Sequence, residues 1–98
     1  MTNVIYHEGA FTDLQVAIGY FETEARPGTT KKFLTQLDRA VVAIKQFPQS
    51  CPILDKRHHR QRVFKFPYEL IYRMDSDDIV IVAVSHSSRA PMYWRDRF

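Results

Sequence analysis

Chemically capable side chains crowd one short segment near the C-terminus. Between Val84 and Arg97 stand a histidine (His86), three arginines (Arg89, Arg95 and Arg97), a tyrosine (Tyr93) and a tryptophan (Trp94). An arginine fork holds a phosphate through two hydrogen bonds, and aromatic rings stack on bases. A histidine or tyrosine can also move a proton while a phosphodiester is cut. The same residues have a structural reading, in which Tyr93 and Trp94 cap the core and the arginines solvate it. A second concentration is the run Lys56-Arg57-His58-His59-Arg60-Gln61-Arg62-Val63-Phe64-Lys65, with five formal positive charges and no acid. A patch of this kind attracts polyanions, either nucleic acid or an acidic protein surface.

Other chemistries are excluded by what the sequence lacks. His58 and His59 are adjacent, so on regular structure their rings diverge, and no cysteine or acid stands at a metal-ligand spacing from them. No metal site is expected. Ser85, Ser87 and Ser88 flank His86, but a serine nucleophile needs an oxyanion hole, commonly built on a glycine turn. The three glycines, Gly9, Gly19 and Gly28, lie far from these serines, which also removes phosphate-cradling loops and with them a kinase or NTPase. The serine hydroxyls instead offer His86 local hydrogen bonds. Cys51 is the single cysteine, so no internal disulfide forms; beside Pro52 it reads as an inert loop cysteine.

The elements that position these groups are legible from periodicity. A chain of 98 residues is one domain's worth, so residues 1–98 are read as a single domain. Its 45% apolar and 26% charged content is that of a globular protein. No apolar run approaches the roughly 20 residues of a membrane span. Met1 to Glu8 does not read as a signal peptide, so a cytoplasmic location with no membrane contact is expected. The net charge is +3, and residues 1–49 balance, so the excess lies in the second half.

Residues 3–7 read as a short strand. Phe11, Leu14, Ile18 and Phe21 mark one face of a helix over about residues 10–25, with Thr12, Asp13, Gln15, Glu22 and Glu24 on its wet side. Arg26-Pro27-Gly28 breaks it. A second helix, capped by Thr29 or Thr30, carries the stripe Phe33, Leu37, Ala40, Val41 and Ile44 and ends at Phe47-Pro48. After a polar loop over 49–61, strands are expected at 62–66, 68–74 and 79–84, the last two separated by a turn at Asp75–Asp78. The run Ile79–Val84 is apolar at every position and suits a central strand buried on both faces. The expected fold is α+β: an N-terminal strand, an α-helical hairpin packed on one face of an antiparallel sheet of about four strands, and a short C-terminal segment.

Three stretches together resemble a known family. Phe66-Pro67-Tyr68-Glu69-Leu70-Ile71-Tyr72-Arg73, then Ile79 to His86, then Arg89-Ala90-Pro91-Met92-Tyr93-Trp94 are similar to the C-terminal signature of ParE-type plasmid-stabilisation toxins of the RelE/ParE superfamily. That pattern runs roughly F-P-Y-x-I-x-Y, A-V-x-H and R-x-P-x-Y-W. The resemblance implies the toxin half of a type II toxin–antitoxin system, with a cognate antitoxin, ParD-like or another small protein, whose C-terminal segment wraps it. The hairpin would offer that segment an apolar groove, the outer strand an edge for strand addition, and residues 56–65 a seat for an acidic tail.

The superfamily further implies two modes of action. ParE-like members poison DNA gyrase by binding, which here would use Arg89, Tyr93, Trp94, Arg95 and Arg97 with help from Lys56, Arg57, Arg60, Arg62 and Lys65, and no catalytic residue or cofactor. RelE-like members cut mRNA on the ribosome. In that case Arg62 and Arg89 would hold the scissile phosphate, Lys56 and Lys65 would add positive field, and Tyr93 or His86 would move the proton. The signature stands nearer the ParE side, which makes gyrase the expected target. A degenerate toxin without activity is the third reading, since fold does not guarantee function.

Overall fold

In the computed structural model, which describes residues 3–50 and 52–97, every residue from Ile79 to Val84 is buried. This run anchors the architecture because both of its faces need cover. The elements in chain order are β1 (Val4–Tyr6), α1 (Glu8–Glu24), α2 (Thr29–Gln46), β2 (His58–Arg62), β3 (Tyr68–Asp75) and β4 (Asp78–His86). The sheet order is β1-β4-β3-β2. β2, β3 and β4 are antiparallel, as expected, but β1 joins β4 in parallel, with Val4 opposite Ile79 and Tyr6 opposite Ile81. The sheet is therefore mixed. Periodicity reports which segments are strands and is silent about which way a partner runs.

The helical hairpin covers one face. Phe33, Leu37, Ala40 and Ile44 of α2 and Ala10, Ala17 and Phe21 of α1 pack on Leu70, Tyr72, Ile79, Ile81 and Val84. The rings of Phe21, Phe33, Phe66 and Tyr68 meet at centroid separations of 4.9–5.9 Å and tie both helices to the start of β3. The Tyr72 hydroxyl donates to the Pro48 carbonyl at 2.7 Å, fixing the end of the hairpin to β3. On the opposite face Ile71, Val80, Val82 and Ala83 lie beneath Trp94, with Leu54, Met92 and Tyr93 packed around them.

One residue sets which side chains go where. Ile71 of β3 stands opposite Ala83, and its neighbour Tyr72 stands opposite Ile81, so Val82 is an extra residue in β4. Such a bulge reverses the parity of the strand beyond it. Hence Ile79, Ile81 and Val84 face the helices while Val80, Val82 and Ala83 face the other way.

Four expectations need correction. The buried face of α1 is Ala10, Asp13, Ala17 and Phe21, with Leu14 packed at its side; Phe11 is 54% exposed. Small alanines let the helix lie close over β4, and apolar type alone does not show which neighbouring stripe makes that approach. α2 is not capped by a threonine hydroxyl: Gly28, at φ 90°, precedes it, and Thr29 and Thr30 lie within the first turn. The strand expected at 62–66 lies instead at His58–Arg62, within the expected loop, because its outward-facing cations mask the alternation. Residues 63–67 turn back toward β3, with Lys65 at φ 68°, Val63 buried and Phe64 exposed. Finally, the His58–Arg60 part of the outer edge of β2 is paired within the chain, since Leu54 and Arg60 donate their amides to the His58 and Pro52 carbonyls at 2.8 and 3.0 Å, which leaves less of it for an added strand. Cys51 lies outside the described residues.

Phe33 is fully buried where both helices and the sheet meet. Phe33→Ala should cost about 3–5 kcal/mol. Urea unfolding would read this as a fall in midpoint that removes a large share of a margin of about 5–15 kcal/mol.

Candidate functional site: an arginine-bearing segment locked by a buried aspartate

β1 covers β4 only from Ile79 to Ile81. The His7 amide adds one bond to the Ile81 carbonyl at 2.8 Å, and among the described residues this edge of β4 has no strand neighbour beyond it. The bulge at Val82 turns the Val82 carbonyl and the Val84 amide toward that open side. Buried backbone groups need partners, and side chains provide them. Asp13, projecting from the buried stripe of α1, accepts the Val84 amide on Oδ2 at 3.1 Å. Arg97 donates from Nη1 to the Val82 carbonyl at 3.0 Å.

These two side chains also pair with each other. Arg97 Nη1 lies 2.7 Å from Asp13 Oδ2 and Nη2 lies 3.2 Å from Oδ1, a two-pronged charge-assisted contact. Tyr93 donates its hydroxyl to Asp13 Oδ2 at 3.0 Å. The Arg89 guanidinium sits 3.8 Å above the Tyr93 ring and 3.9 Å from Asp13 Oδ1. Buried Arg73 donates to the Arg97 carbonyl at 3.3 Å and to Asp75 at 3.0 Å, holding the segment from its far side. Gly9 makes room for this arrangement: a Cβ there would lie 2.5 Å from Arg97 Nε. The approach is what requires glycine at the start of α1.

The electrostatics follow from the geometry. Burial first, and then the Asp13 charge and hydrogen bond, push the Tyr93 hydroxyl from 10.0 up to about 12. The Asp13 hydrogen bond likewise raises Arg97 above its already high value. Asp13 itself is 7% exposed, although its sequence position reads as the wet side of a helix. What betrays it is the stripe it shares with Ala10 and Ala17, set against a surplus of arginines near the C-terminus.

The residues nominated from sequence divide accordingly. Arg89 and Arg95 are exposed, Tyr93 is half-buried, and most of the Arg97 guanidinium is consumed internally. Trp94 is 3% exposed and packs against the His58 ring at 4.7 Å, so it is a core residue whose ring faces no solvent. His86 Nδ1 accepts the Ser88 amide at 2.9 Å, the local satisfaction expected of it. Its ring meets Tyr68 edge-on at 4.9 Å. Arg62 and Arg89 line separate hollows on either side of Tyr68.

The basic run is dispersed. His58 is buried and bonds Asp55 at 2.9 Å, while His59 stacks on Tyr72 over the other face of the sheet. Lys56 and Arg57 sit in the bend before β2, Arg60 lies 4.0 Å from Glu69, and Lys65 stands beside Phe64. Among the described residues no group of three His, Cys, Asp or Glu side chains is close enough to hold a metal ion, and no helix is long and apolar enough to cross a membrane.

A helical hairpin on one face of a mixed sheet, with an arginine-bearing C-terminal segment on the other, is the α+β fold of the RelE/ParE toxins. The family model described as the ParE toxin of the type II toxin–antitoxin system, parDE, matches residues 4–91, and the chain belongs to that family. Among solved structures the chain is similar to one from the chromosomal ParDE TA system of P. aeruginosa, with a TM-score of 0.68 and 15% identity over 88% of this chain and 96% of that one. It is also similar to the YoeB dimer from Staphylococcus aureus, with a TM-score of 0.59 and 17% identity over 87% and 95%. At these identities the likeness concerns the fold. No curated protein matches the chain in sequence.

Asp13→Asn should cost about 3 kcal/mol, because it strands the Arg97 charge. Gly9→Ala should displace Arg97 and cost markedly less in the Asp13→Asn background, a coupling that a double-mutant cycle measures. Tyr93, with its folded value raised, contributes stability that is whole below pH 10 and lost as pH rises through about 12. Absorbance titration should find tyrosinate still forming near pH 12 in the folded protein, and Asp13→Asn should shift the Tyr93 share of that late absorbance to lower pH.

Proposed function

We propose that this toxin acts by binding, as a ParE-like inhibitor of DNA gyrase, and that a cognate antitoxin neutralises it. The observation that carries this reading is the state of Tyr93. Its hydroxyl is committed to Asp13 and its ionisation lies near 12, far from the value a general base needs at neutral pH. His86 offers no better base. Nδ1 is occupied as an acceptor, so in the neutral ring the proton sits on Nε2. Arg62 and Arg89 line different hollows, which meet at Pro67 and Tyr68, and His86 lines only the one with Arg89. What the segment does present is two exposed cations, Arg89 stacked 3.8 Å over the Tyr93 ring and Arg95 two residues beyond it. Fixed arginines beside an aromatic ring are typical binding hot spots.

The antitoxin is assigned to the groove between α1 and the end of β4. This hollow of about 430 Å³ is lined by Val16, Tyr20, Tyr68, His86 and Arg89 among others, and Val16 and Tyr20 are largely exposed. It suits the apolar side of an amphipathic segment, with Arg89 at the rim to meet an acid. Strand addition at β2 is less suited, since Pro52–Leu54 occupies part of that edge.

Purified toxin added to gyrase should block supercoiling, and added to translating ribosomes it should leave a defined mRNA intact. mRNA cut at codon positions with supercoiling unimpaired would overturn the proposal in favour of a RelE-like nuclease. Arg89→Glu should weaken gyrase inhibition at least about tenfold, as loss of a hot-spot arginine does, while leaving the circular dichroism unchanged. The product of the adjacent small reading frame should co-purify with the toxin, and Tyr20→Glu should reduce its recovery.

A further inference from the structure

We propose that the face formed by α2 and the β2–β3 turn binds single-stranded nucleic acid. This site draws on none of the residues of the Arg89 segment and does not rest on the gyrase reading.

Lys32, Gln36 and Arg39 are spaced four and three residues apart, so they form one stripe along α2. Folding sets that stripe beside the turn at 63–67. Gln36, Arg39, Gln61, Arg62 and Phe64 surround a hollow of about 250 Å³. Gln36 also lines the next hollow, of about 610 Å³, with Lys31, Lys32, Lys65 and Phe66. A third, of about 530 Å³, runs along the turn itself from Gln61 to Pro67. No carboxylate lines any of the three. Among the described residues Lys32, Arg39, Arg62 and Lys65 form no ion pair. The first half of the chain is electrically balanced in sequence, yet the fold joins two of its cations to two from the second half on one face.

Phe64 stands in the middle of this field, 65% exposed. Its neighbours point the other way: Val63 is buried and Phe66 packs on the core. The turn is held by the Val63 amide on the Tyr68 carbonyl at 3.0 Å and the Phe66 amide on the Val63 carbonyl at 3.1 Å. Lys65 is forced to φ 68°, a left-handed conformation unfavourable for a side chain with a Cβ, and its ammonium stands 5.5 Å from the Phe64 ring. The chain thus accepts backbone strain and keeps a large ring in water.

A flat apolar ring between cations matches a ligand that supplies flat groups and negative charges at alternate positions. Bases stack on aromatic faces and phosphates meet the cations. An acidic peptide satisfies the cations but has nothing flat to offer Phe64. A duplex hides the faces of its bases, so an unpaired strand is the fitting form.

Fluorescence anisotropy with a labelled oligothymidylate of about twelve nucleotides tests this. Saturable binding is expected at low salt, with a log–log salt slope of about −2 to −3 for four phosphate contacts. Arg39→Gln and Lys65→Asn, the latter chosen because asparagine tolerates the left-handed turn, should each flatten the slope by about 0.7. Phe64→Ala should weaken binding at least about fivefold with the slope unchanged. Phe64→Leu, apolar but not flat, should do the same. All three positions are exposed, and thermal melts verify that the four variants fold. The proposal is overturned if no saturable binding occurs, or if both Phe64 variants bind like the parent. It is equally overturned if a duplex or a polyglutamate peptide competes as well as the oligothymidylate, which would make the face a general polyanion or acidic-protein site.

Discussion

The carboxylate of Asp13 is the contact on which the two sides of this molecule depend. It belongs to a helix on one face, completes the backbone ladder of β4 at Val84, and receives both Tyr93 and Arg97 from the segment that covers the other face. A buried charge is expensive to desolvate and is tolerable only when its hydrogen-bonding capacity is filled. Here the bulge at Val82 supplies part of the reason for the charge. By turning a carbonyl and an amide toward an uncovered edge, it creates one acceptor and one donor that apolar packing would leave unsatisfied. An aspartate paired with an arginine answers both at once.

That solution shapes the surface. Arg97 and the Tyr93 hydroxyl are spent inside the network, and Trp94 is spent on the core beneath it. The side chains left outside, Arg89 and Arg95, are therefore mounted on a segment with little freedom to rearrange. A surface built in this way presents fixed features, as the proposed binding role requires. The proposed binding role and the buried network thus share one physical origin.

Much of the architecture is legible in the residues themselves. The two helices, the turn at Asp75–Asp78 and the doubly buried strand follow from apolar spacing and from Pro and Gly punctuation. Val84 is harder, because a bulge shifts parity without leaving a mark in residue type. β2 is concealed by its own cations, and the parallel entry of β1 depends on a pairing across most of the chain. The site was legible only in composition. Arg89 and Tyr93 stand out in sequence, but Asp13 reads as a solvated helix residue until the Val84 amide and Arg97 are placed beside it, and the reason for Gly9 is invisible until Arg97 passes under it.

The separation in sequence of the groups that meet at Asp13 bears on how the protein forms and comes apart. Its partners Val84, Tyr93 and Arg97 lie 71, 80 and 84 positions away. Contacts that close loops of this length are assembled late, after the local α1–α2 hairpin and the β3–β4 hairpin have paid most of the chain entropy. Interactions absent from the folding transition state act on the rate of unfolding far more than on the rate of folding. The aspartate network is therefore expected to act as a kinetic clasp, so that its loss would shorten the time the two faces of the sheet stay covered more than it would slow folding.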